Sequence, residues 1–197
     1  MAAFDDAPHV QPESRDEWRA WLAANHEHAG GVWLVMWRAS ASRQPFGYEA
    51  AVEEALCFGW VDSRGGKVDE QRKKLYFARR KPRSAWAAPN KERVERLLEA
   101  GRMAPAGIAA IEVAKANGSW TPFDGATRGD LPDDLRSALA ERPPARERWD
   151  AFPPSVRRAA LGWIALARRP ETRAHRVMQA ADDAQRNVRP NQGRPGN

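Results

Sequence analysis

The segment that most constrains the fold is VWLVMWR, residues 32–38, because its first six positions are all apolar. Successive residues of a β-strand point to opposite faces of a sheet, so this strand would be apolar on both faces. A strand of that kind is covered on both sides. We therefore predict a strand near the centre of a sheet.

The residues around this strand predict a small α+β part. Ser14 and Glu17 form a capping box in front of Trp18 and Trp21, which predicts a helix over residues 14–25. Gly65 and Gly66 mark either a bulge in a strand or the turn of a hairpin. The other predicted elements are a helix at 48–58, strands at 60–68 and 74–79, and a turn at 69–72.

The chain after Pro82 is helical in pattern. Helices are predicted at 90–100, 104–117, 131–140, 145–152, 155–168 and 170–185, with a loop at 120–130. The fold class is therefore α+β, with a small antiparallel sheet and helices in the N-terminal part and an all-helical C-terminal part. The predicted domains are an α+β part at 13–85 and a helical part at 86–186, with disordered tails at 1–12 and 187–197.

Composition excludes several classes of protein. Cys57 is the single cysteine, which excludes a disulfide framework and a multi-cysteine zinc site, and we expect it to be a buried apolar residue. The four histidines show no metal-ligand spacing, so no metal site and no cofactor are expected. No apolar run is long enough to span a membrane, and no signal peptide is seen. We expect a cytoplasmic protein.

Charge is distributed unevenly along the chain. The net charge is +6, made up of −6 over residues 1–71 and +12 over residues 72–197. The densest run, RKKLYFARRKPR at 72–83, holds seven basic residues and no acidic one. This asymmetry indicates an anionic partner, and nucleic acid is one partner of that kind. The alternative is a solvated basic surface, because arginine is favoured over lysine throughout the chain.

Long segments of the chain resemble the YdeI/OmpD-associated, or bacteriocin-protection, family. They are YEAAVEEALCFGWVDSR (48–64), FARRKPRSAWAAPN (77–90), RVERLLEAGRMAPAGIAAIEVAKANGSW (93–120) and ALGWIALARRPETRAHRV (160–177). The resemblance covers residues 13–180. The α+β part at 13–85 is also similar to small YdhG-like domains of unknown function.

The resemblance implies a phenotype rather than a reaction, namely protection against antimicrobial peptides and an indirect link to an outer-membrane porin. It also implies a role in stress protection. Members of the family often carry Thr-Pro near the position of Ala78-Arg79, and Ser where Ala87 stands. Because this chain lacks those hydroxyl groups, the resemblance does not imply a hydroxyl-based role for the loop.

The strand–loop–helix junction that follows the hairpin is the candidate ligand site. An arginine guanidinium group can donate two hydrogen bonds at once to the oxygens of a phosphate or carboxylate, and a helix N-terminus favours binding of an anion. A tryptophan there would stack on a ring or on a guanidinium group. The candidate ligand-binding residues are Trp60, Asp62, Arg79, Arg80, Arg83, Ser84, Trp86, Asn90 and Arg93.

Each of these residues also has a structural interpretation. Trp86 would then be a core residue, with Arg83 and Arg93 paired to acids such as Glu54 or Asp62. Asp62 would form a structural pair with an arginine instead of acting as a general base.

Three functions follow from these residues. The first is a non-enzymatic protein that binds a small anionic ligand or an acidic protein surface. The second is a nucleic-acid-binding protein, although no helix-turn-helix is seen. The third is an enzyme for a small anionic substrate, with Asp62 as base and Arg79 or Arg83 as an electrostatic clamp. The oligomeric state does not follow from the sequence.

Overall fold

The computed structural model describes residues 6–38 and 46–190. The strands are β1 His9–Val10, β2 Val32–Trp37, β3 Trp60–Lys67 and β4 Arg72–Arg79. The helices are α1 Arg15–Asn25, α2 Tyr48–Cys57, α3 Ala88–Glu99, α4 Pro105–Ala116, α5 Asp124–Arg128, α6 Asp133–Ala140, α7 Ala145–Ala151, α8 Pro154–Ala165 and α9 Pro170–Gln185. The predicted fold class, a small sheet in the N-terminal part followed by helices, is confirmed. None of the described helices has the length and apolarity needed to cross a membrane.

The strands form one sheet in the order β1-β2-β4-β3. β2 has a neighbour on each side, and five of its six residues are buried, as expected for a strand that is apolar on both faces. β4 pairs antiparallel with β2 and with β3, whereas β1 pairs parallel with β2 through His9 and Trp33. β1 lies in the segment predicted to be a disordered tail, because two residues are too few to show a strand pattern. Residues 1–5 of that tail lie outside the described residues.

Of the capping box predicted from the sequence, the Ser14 half is present at the start of α1, whereas the Glu17 carboxylate accepts from the backbone N–H of Glu13 at 2.8 Å. Ser14 Oγ accepts a hydrogen bond from the backbone N–H of Glu17 at 3.1 Å. Trp18 is fully buried, and its indole N–H donates to the carbonyl oxygen of Ala51 at 3.1 Å. Its ring centroid lies 5.4 Å from that of Phe77. α1 therefore joins α2 and covers the sheet face that carries Phe77.

β3 and β4 form the predicted hairpin. Asp69 Oδ1 fixes the turn by accepting from the backbone N–H groups of Gln71 and Arg72 at 3.0 and 2.7 Å. The pairing of the two strands shifts register between Asp62 and Gly65. The glycine pair thus follows an irregularity inside β3 and does not form the turn.

The chain divides into two compact units. Unit 1 holds the described residues up to Ser84 and residues Pro89–Ser119, and unit 2 holds Ala85–Ala88 and the described residues from Trp120 onward. α4 and nearly all of α3, which the sequence analysis assigned to the helical part, therefore belong with the sheet. Within unit 1, a Cβ atom on Gly107 would lie 2.3 Å from the carbonyl oxygen of Cys57. Glycine is what allows α4 to approach the end of α2 so closely.

Unit 2 contains α5 to α9 around a core of alanine and leucine side chains closed by aromatic rings. Its most deeply buried large side chains are Leu135, Leu139, Trp149 and Ile164. α5 lies in residues 120–130, so the loop predicted there was wrong in part. A five-residue helix with one buried side chain, Ala126, carries no apolar stripe that would indicate it. Residues 191–197 of the predicted C-terminal tail lie outside the described residues.

Candidate functional site

A basic turn follows β4 in unit 1 and comprises residues 80–83. The backbone N–H of Arg80 donates to Gly59 O at 2.9 Å, and that of Ser84 donates to Lys81 O at 2.9 Å. Two side chains beyond α4 hold the turn from outside, since Asn117 Nδ2 and Ser119 Oγ lie 2.8 and 3.1 Å from the carbonyl oxygen of Pro82. The backbone of the basic turn is therefore fixed in place.

The side chains of Lys81 and Arg83 are exposed on this turn. Arg80 is half-buried, and its burial lowers the pKa of the guanidinium group to about 10, although the charge of Asp62 opposes the shift. Its guanidinium group is still protonated near neutral pH. The basic turn thus presents three cations on an anchored backbone.

Arg79, the last residue of β4, has a structural role. Its Nη2 atom donates to the carbonyl oxygen of His26 at 2.9 Å and also contacts that of Glu27. These carbonyl groups lie at the end of α1, where backbone oxygens have no partner within the helix. A positive charge is also favourable at this end of the helix dipole. Arg79 therefore ties the hairpin to α1.

Trp60 and Asp62 lie on β3. Trp60 is fully buried, and its indole N–H donates to His26 O at 3.2 Å, so this residue belongs to the core. Asp62 is half-buried, and its Oδ2 atom accepts from the Tyr48 hydroxyl group at 3.0 Å. Burial and the charge of Asp62 raise the pKa of Tyr48, which keeps the phenol protonated as a donor.

Arg93 forms the ion pair that the structural interpretation expected, but with a different carboxylate. Its Nε and Nη2 atoms lie 2.9 and 2.7 Å from the two carboxylate oxygens of Glu49, and its Nη1 atom donates to Asn90 Oδ1 at 2.9 Å. The pairing lowers the pKa of Glu49. Arg93 and Asn90 thus fasten α3 to α2.

The other two candidate residues lie on either side of the division between the units. Ser84 is half-buried at the end of unit 1. Trp86 belongs to unit 2, where it is buried with its ring centroid 5.0 Å from that of Trp120. Unit 1 therefore brings Asp62 near Arg80, while Trp86 belongs to a different packing group.

The sequence analysis missed a buried ion cluster in unit 1, centred on Glu54. The side chain of Glu54 is fully buried. Arg15 Nε lies 2.5 Å from its Oε1 atom, Arg19 Nη1 lies 2.7 Å from its Oε2 atom, and Arg102 also contacts Oε1. We call these four residues the Glu54 cluster. It joins α1, α2 and the segment before α4.

Two sequence signals could have indicated the Glu54 cluster. Arg15 and Arg19 are four residues apart and so lie on one side of α1. Glu54 directly precedes Ala55 in the predicted buried stripe of α2, and a buried carboxylate needs cationic partners. Arg102, 48 residues from Glu54 along the chain, carried no such signal.

Cys57 and the histidines offer little chemistry within unit 1. Cys57 is buried, as predicted, and burial raises the pKa of its thiol, which disfavours the nucleophilic thiolate. His26 Nδ1 lies 3.0 Å from Leu22 O, within its own helix end. In residues 6–38 and 46–190, no group of three or more His, Cys, Asp or Glu side chains could hold a metal ion.

Two family models match this chain, one in its N-terminal part and one in its C-terminal part. Residues 10–110, just over half of the sequence, match the model of a domain of unknown function, DUF8412. The chain belongs to this family. Residues 129–187 match a second model, described as bacteriocin-protection, YdeI or OmpD-associated, which confirms the predicted resemblance for this part of the chain. Neither the curated proteins nor the solved structures gave a significant match.

The two matches cover different structural elements, and the candidate site lies in the first of them. The segment typical of the DUF8412 family contains β2, β3, β4, the basic turn and the Glu54 cluster. The second match covers α6 to α9 in unit 2. The likeness of residues 13–85 to YdhG-like domains stays a prediction.

Proposed function

We propose that this protein is a binding protein that recognises an acidic partner surface through the basic turn of unit 1. The observation that supports this most directly is the anchored backbone of the turn, which holds Lys81 and Arg83 exposed beside Arg80. No acidic residue occurs in residues 72–83.

The exposed position of the turn favours an extended partner over a small ligand. Small ligands bind in concave sites that cover most of their surface. Lys81 and Arg83 project from a surface turn, and exposed cations of this kind attract a partner over a distance and set its orientation. The binding is therefore expected to be sensitive to salt.

The family descriptions are consistent with a binding role. The bacteriocin-protection description belongs to the second family model, and we extend it to this chain only as part of the proposal. Protection of a cell by a non-enzymatic protein requires that the protein bind something. As in the sequence analysis, we expect this to occur in the cytoplasm.

The proposal is tested by titrating the full chain with polyglutamate, a model of an acidic protein surface, at low and high salt. We expect saturable binding that weakens in salt. Exposed ion pairs contribute about 0.2–1 kcal/mol each, so Lys81→Ala with Arg83→Ala should weaken binding by up to about 30-fold. Arg136→Ala, which removes an exposed cation from α6, serves as the matched control.

Duplex DNA in a parallel titration separates the nucleic-acid hypothesis from the proposal. DNA binding with a steep dependence on salt, together with no binding of polyglutamate, would favour a nucleic-acid-binding protein. Polyglutamate binding that the Lys81 and Arg83 substitutions leave unchanged would place the site elsewhere.

A further inference from the structure

Unit 2 contains a cavity of about 240 Å³, and three of its seven lining residues are arginines. Its lining includes three guanidinium groups and apolar surface, and it includes no acidic side chain. We call this cavity the arginine pocket. Its lining side chains are Arg128, Arg157, Arg158, Trp149, Pro154 and Leu161.

The strongest indication of a ligand is the Nε atom of Arg157. This nitrogen is buried and has no hydrogen-bond partner among the described residues. A buried donor that makes no hydrogen bond costs free energy, and the cost is larger when the group is charged. Arg157 as a whole is half-buried and lines the arginine pocket, so its guanidinium group lies beside any anion held there.

The other two arginines differ in how far they are neutralised. Arg128 is paired, since its Nε and Nη2 atoms both contact Asp130 Oδ2, at 2.9 and 2.6 Å. Arg158 is exposed at the rim. The pocket therefore has an excess of positive charge that Asp130 offsets only in part.

The start of α8 adds to this positive potential. Pro154 lies at the first position of α8 and lines the pocket, and the backbone N–H of Val156 already donates to Pro153 O at 2.9 Å. The positive end of the helix dipole therefore lies at the wall. The end of α5 also lies at the pocket, and two of its carbonyl groups, those of Gly125 and Ala126, accept from the backbone N–H groups of Asp130 and Gly129.

The size of the pocket restricts the ligand. Drug-sized ligands occupy about 300–1,000 Å³, so a cavity of about 240 Å³ suits a smaller molecule. One guanidinium group can donate two parallel hydrogen bonds to two oxygens of a phosphate. A site with several arginines therefore suits a group that carries two negative charges. Trp149 and Leu161 add an apolar surface beside the cations. We propose that the arginine pocket binds the phosphoryl group of a small phosphorylated molecule.

The proposal is tested by calorimetric titration of the full chain with inorganic phosphate and with phenyl phosphate at constant ionic strength. Benzoate provides the matching carboxylate. We expect saturable binding of both phosphates, with the phenyl compound bound more tightly because of the apolar wall, and at least tenfold weaker binding of benzoate. Arg157→Ala should weaken phosphate binding at least tenfold.

Two further variants make the result decisive. Arg158→Glu places a carboxylate at the rim and should abolish phosphate binding, and because Arg158 is exposed this variant is expected to fold. Arg146→Ala removes an exposed arginine of α7 in the same unit and should leave binding unchanged. Absence of phosphate binding in the unmodified protein, or equal binding by Arg158→Glu and Arg146→Ala, would overturn the proposal.

The same titrations separate the arginine pocket from the basic turn. Arg83→Ala should leave phosphate binding intact, and Arg158→Glu should leave polyglutamate binding intact. Phosphate binding that is lost in Arg83→Ala but kept in Arg158→Glu would move the phosphoryl site to unit 1 and contradict the assignment.

Discussion

In unit 1, three arginines of the Glu54 cluster surround one fully buried carboxylate, whereas in unit 2 three arginines surround a cavity whose lining holds no carboxylate. The same residue type thus has two physical roles in one chain. In the first role, the guanidinium groups hold helices together, because they satisfy a charge that could not otherwise be buried. In the second, a guanidinium nitrogen is buried without an acceptor.

This difference explains why the arginine content of the chain is a poor guide to function. Of the arginines that the sequence analysis assigned to a ligand site, Arg79 and Arg93 are engaged by the fold. Arg80 and Arg83 lie in the basic turn. An arginine has a structural role when the fold itself supplies its negatively charged or carbonyl partner, and it is available for binding when the fold does not. Which of the two applies depends on contacts between residues far apart in the chain.

The largest effect is expected at the centre of the Glu54 cluster. Glu54→Ala leaves three arginines around a site with no carboxylate, and removal of one partner from a buried ion pair costs about 3–5 kcal/mol. Urea unfolding at pH 7 measures the loss of stability. Glu95→Ala, which removes an exposed carboxylate from α3, is the control and should change stability by less than about 0.5 kcal/mol. Similar values for the two variants would show that the cluster does not stabilise unit 1.

The second comparison uses two glycines that lie inside helices, one in each unit. A Cβ atom on Gly107 in α4 would lie 2.3 Å from Cys57 O, so Gly107→Ala should destabilise the protein by about 1–3 kcal/mol.

The matched position in unit 2 is Gly162 in α8, where a Cβ atom would meet nothing closer than Phe123 at 3.8 Å. Gly162→Ala should stabilise the protein by up to about 1 kcal/mol, because alanine favours the helix. Thermal unfolding of both variants measures the two effects. The tight contact between α2 and α4 would be contradicted if the two substitutions changed the melting temperature in the same direction.

The smallest effect is expected from the pair formed by the exposed Glu49 and the half-buried Arg93. Hydrogen bonding to Arg93 holds the pKa of Glu49 below its usual value of 4.5. The folded protein therefore binds this proton less readily than the unfolded chain. The pair contributes to stability above about pH 4.5, and the contribution is lost as the pH falls through the lower pKa of the folded state.

Glu49→Gln should accordingly reduce the loss of stability that occurs as the pH falls below about 4.5, by a small amount because the carboxylate is exposed. Urea unfolding at several pH values measures the slope. An unchanged slope in Glu49→Gln, with Glu95→Gln as the control, would mean that Arg93 does not stabilise the charged form of Glu49.

The elements with strong local patterns could be predicted from the sequence. β2 is apolar on both faces, α1 begins at the N-cap Ser14, and the hairpin turns at Asp69. β1 and α5 could not be predicted, because each is too short for its periodicity to be read. β1 forms only because a neighbouring strand offers it backbone partners.

The candidate site was harder to predict than the fold. The basic turn follows from a local run of cations, but the hydrogen bonds that fix it come from Asn117 and Ser119, more than 30 residues away. The Glu54 cluster and the arginine pocket are assembled in the same way from distant segments. Local patterns mark Arg15, Arg19 and Glu54 as unusual, but they do not show which distant residues these side chains contact.

The most direct test of the contrast between the two units is the nuclear magnetic resonance spectrum of the arginine Nε–H groups. Inorganic phosphate is added to the full chain labelled with ¹⁵N. We predict saturable shifts for Arg157 and Arg158, and unchanged signals for Arg15 and Arg19, which are held by Glu54. Shifts of the Glu54 cluster, or no shift of Arg157, would contradict the assignment of a structural role to the first set and a binding role to the second.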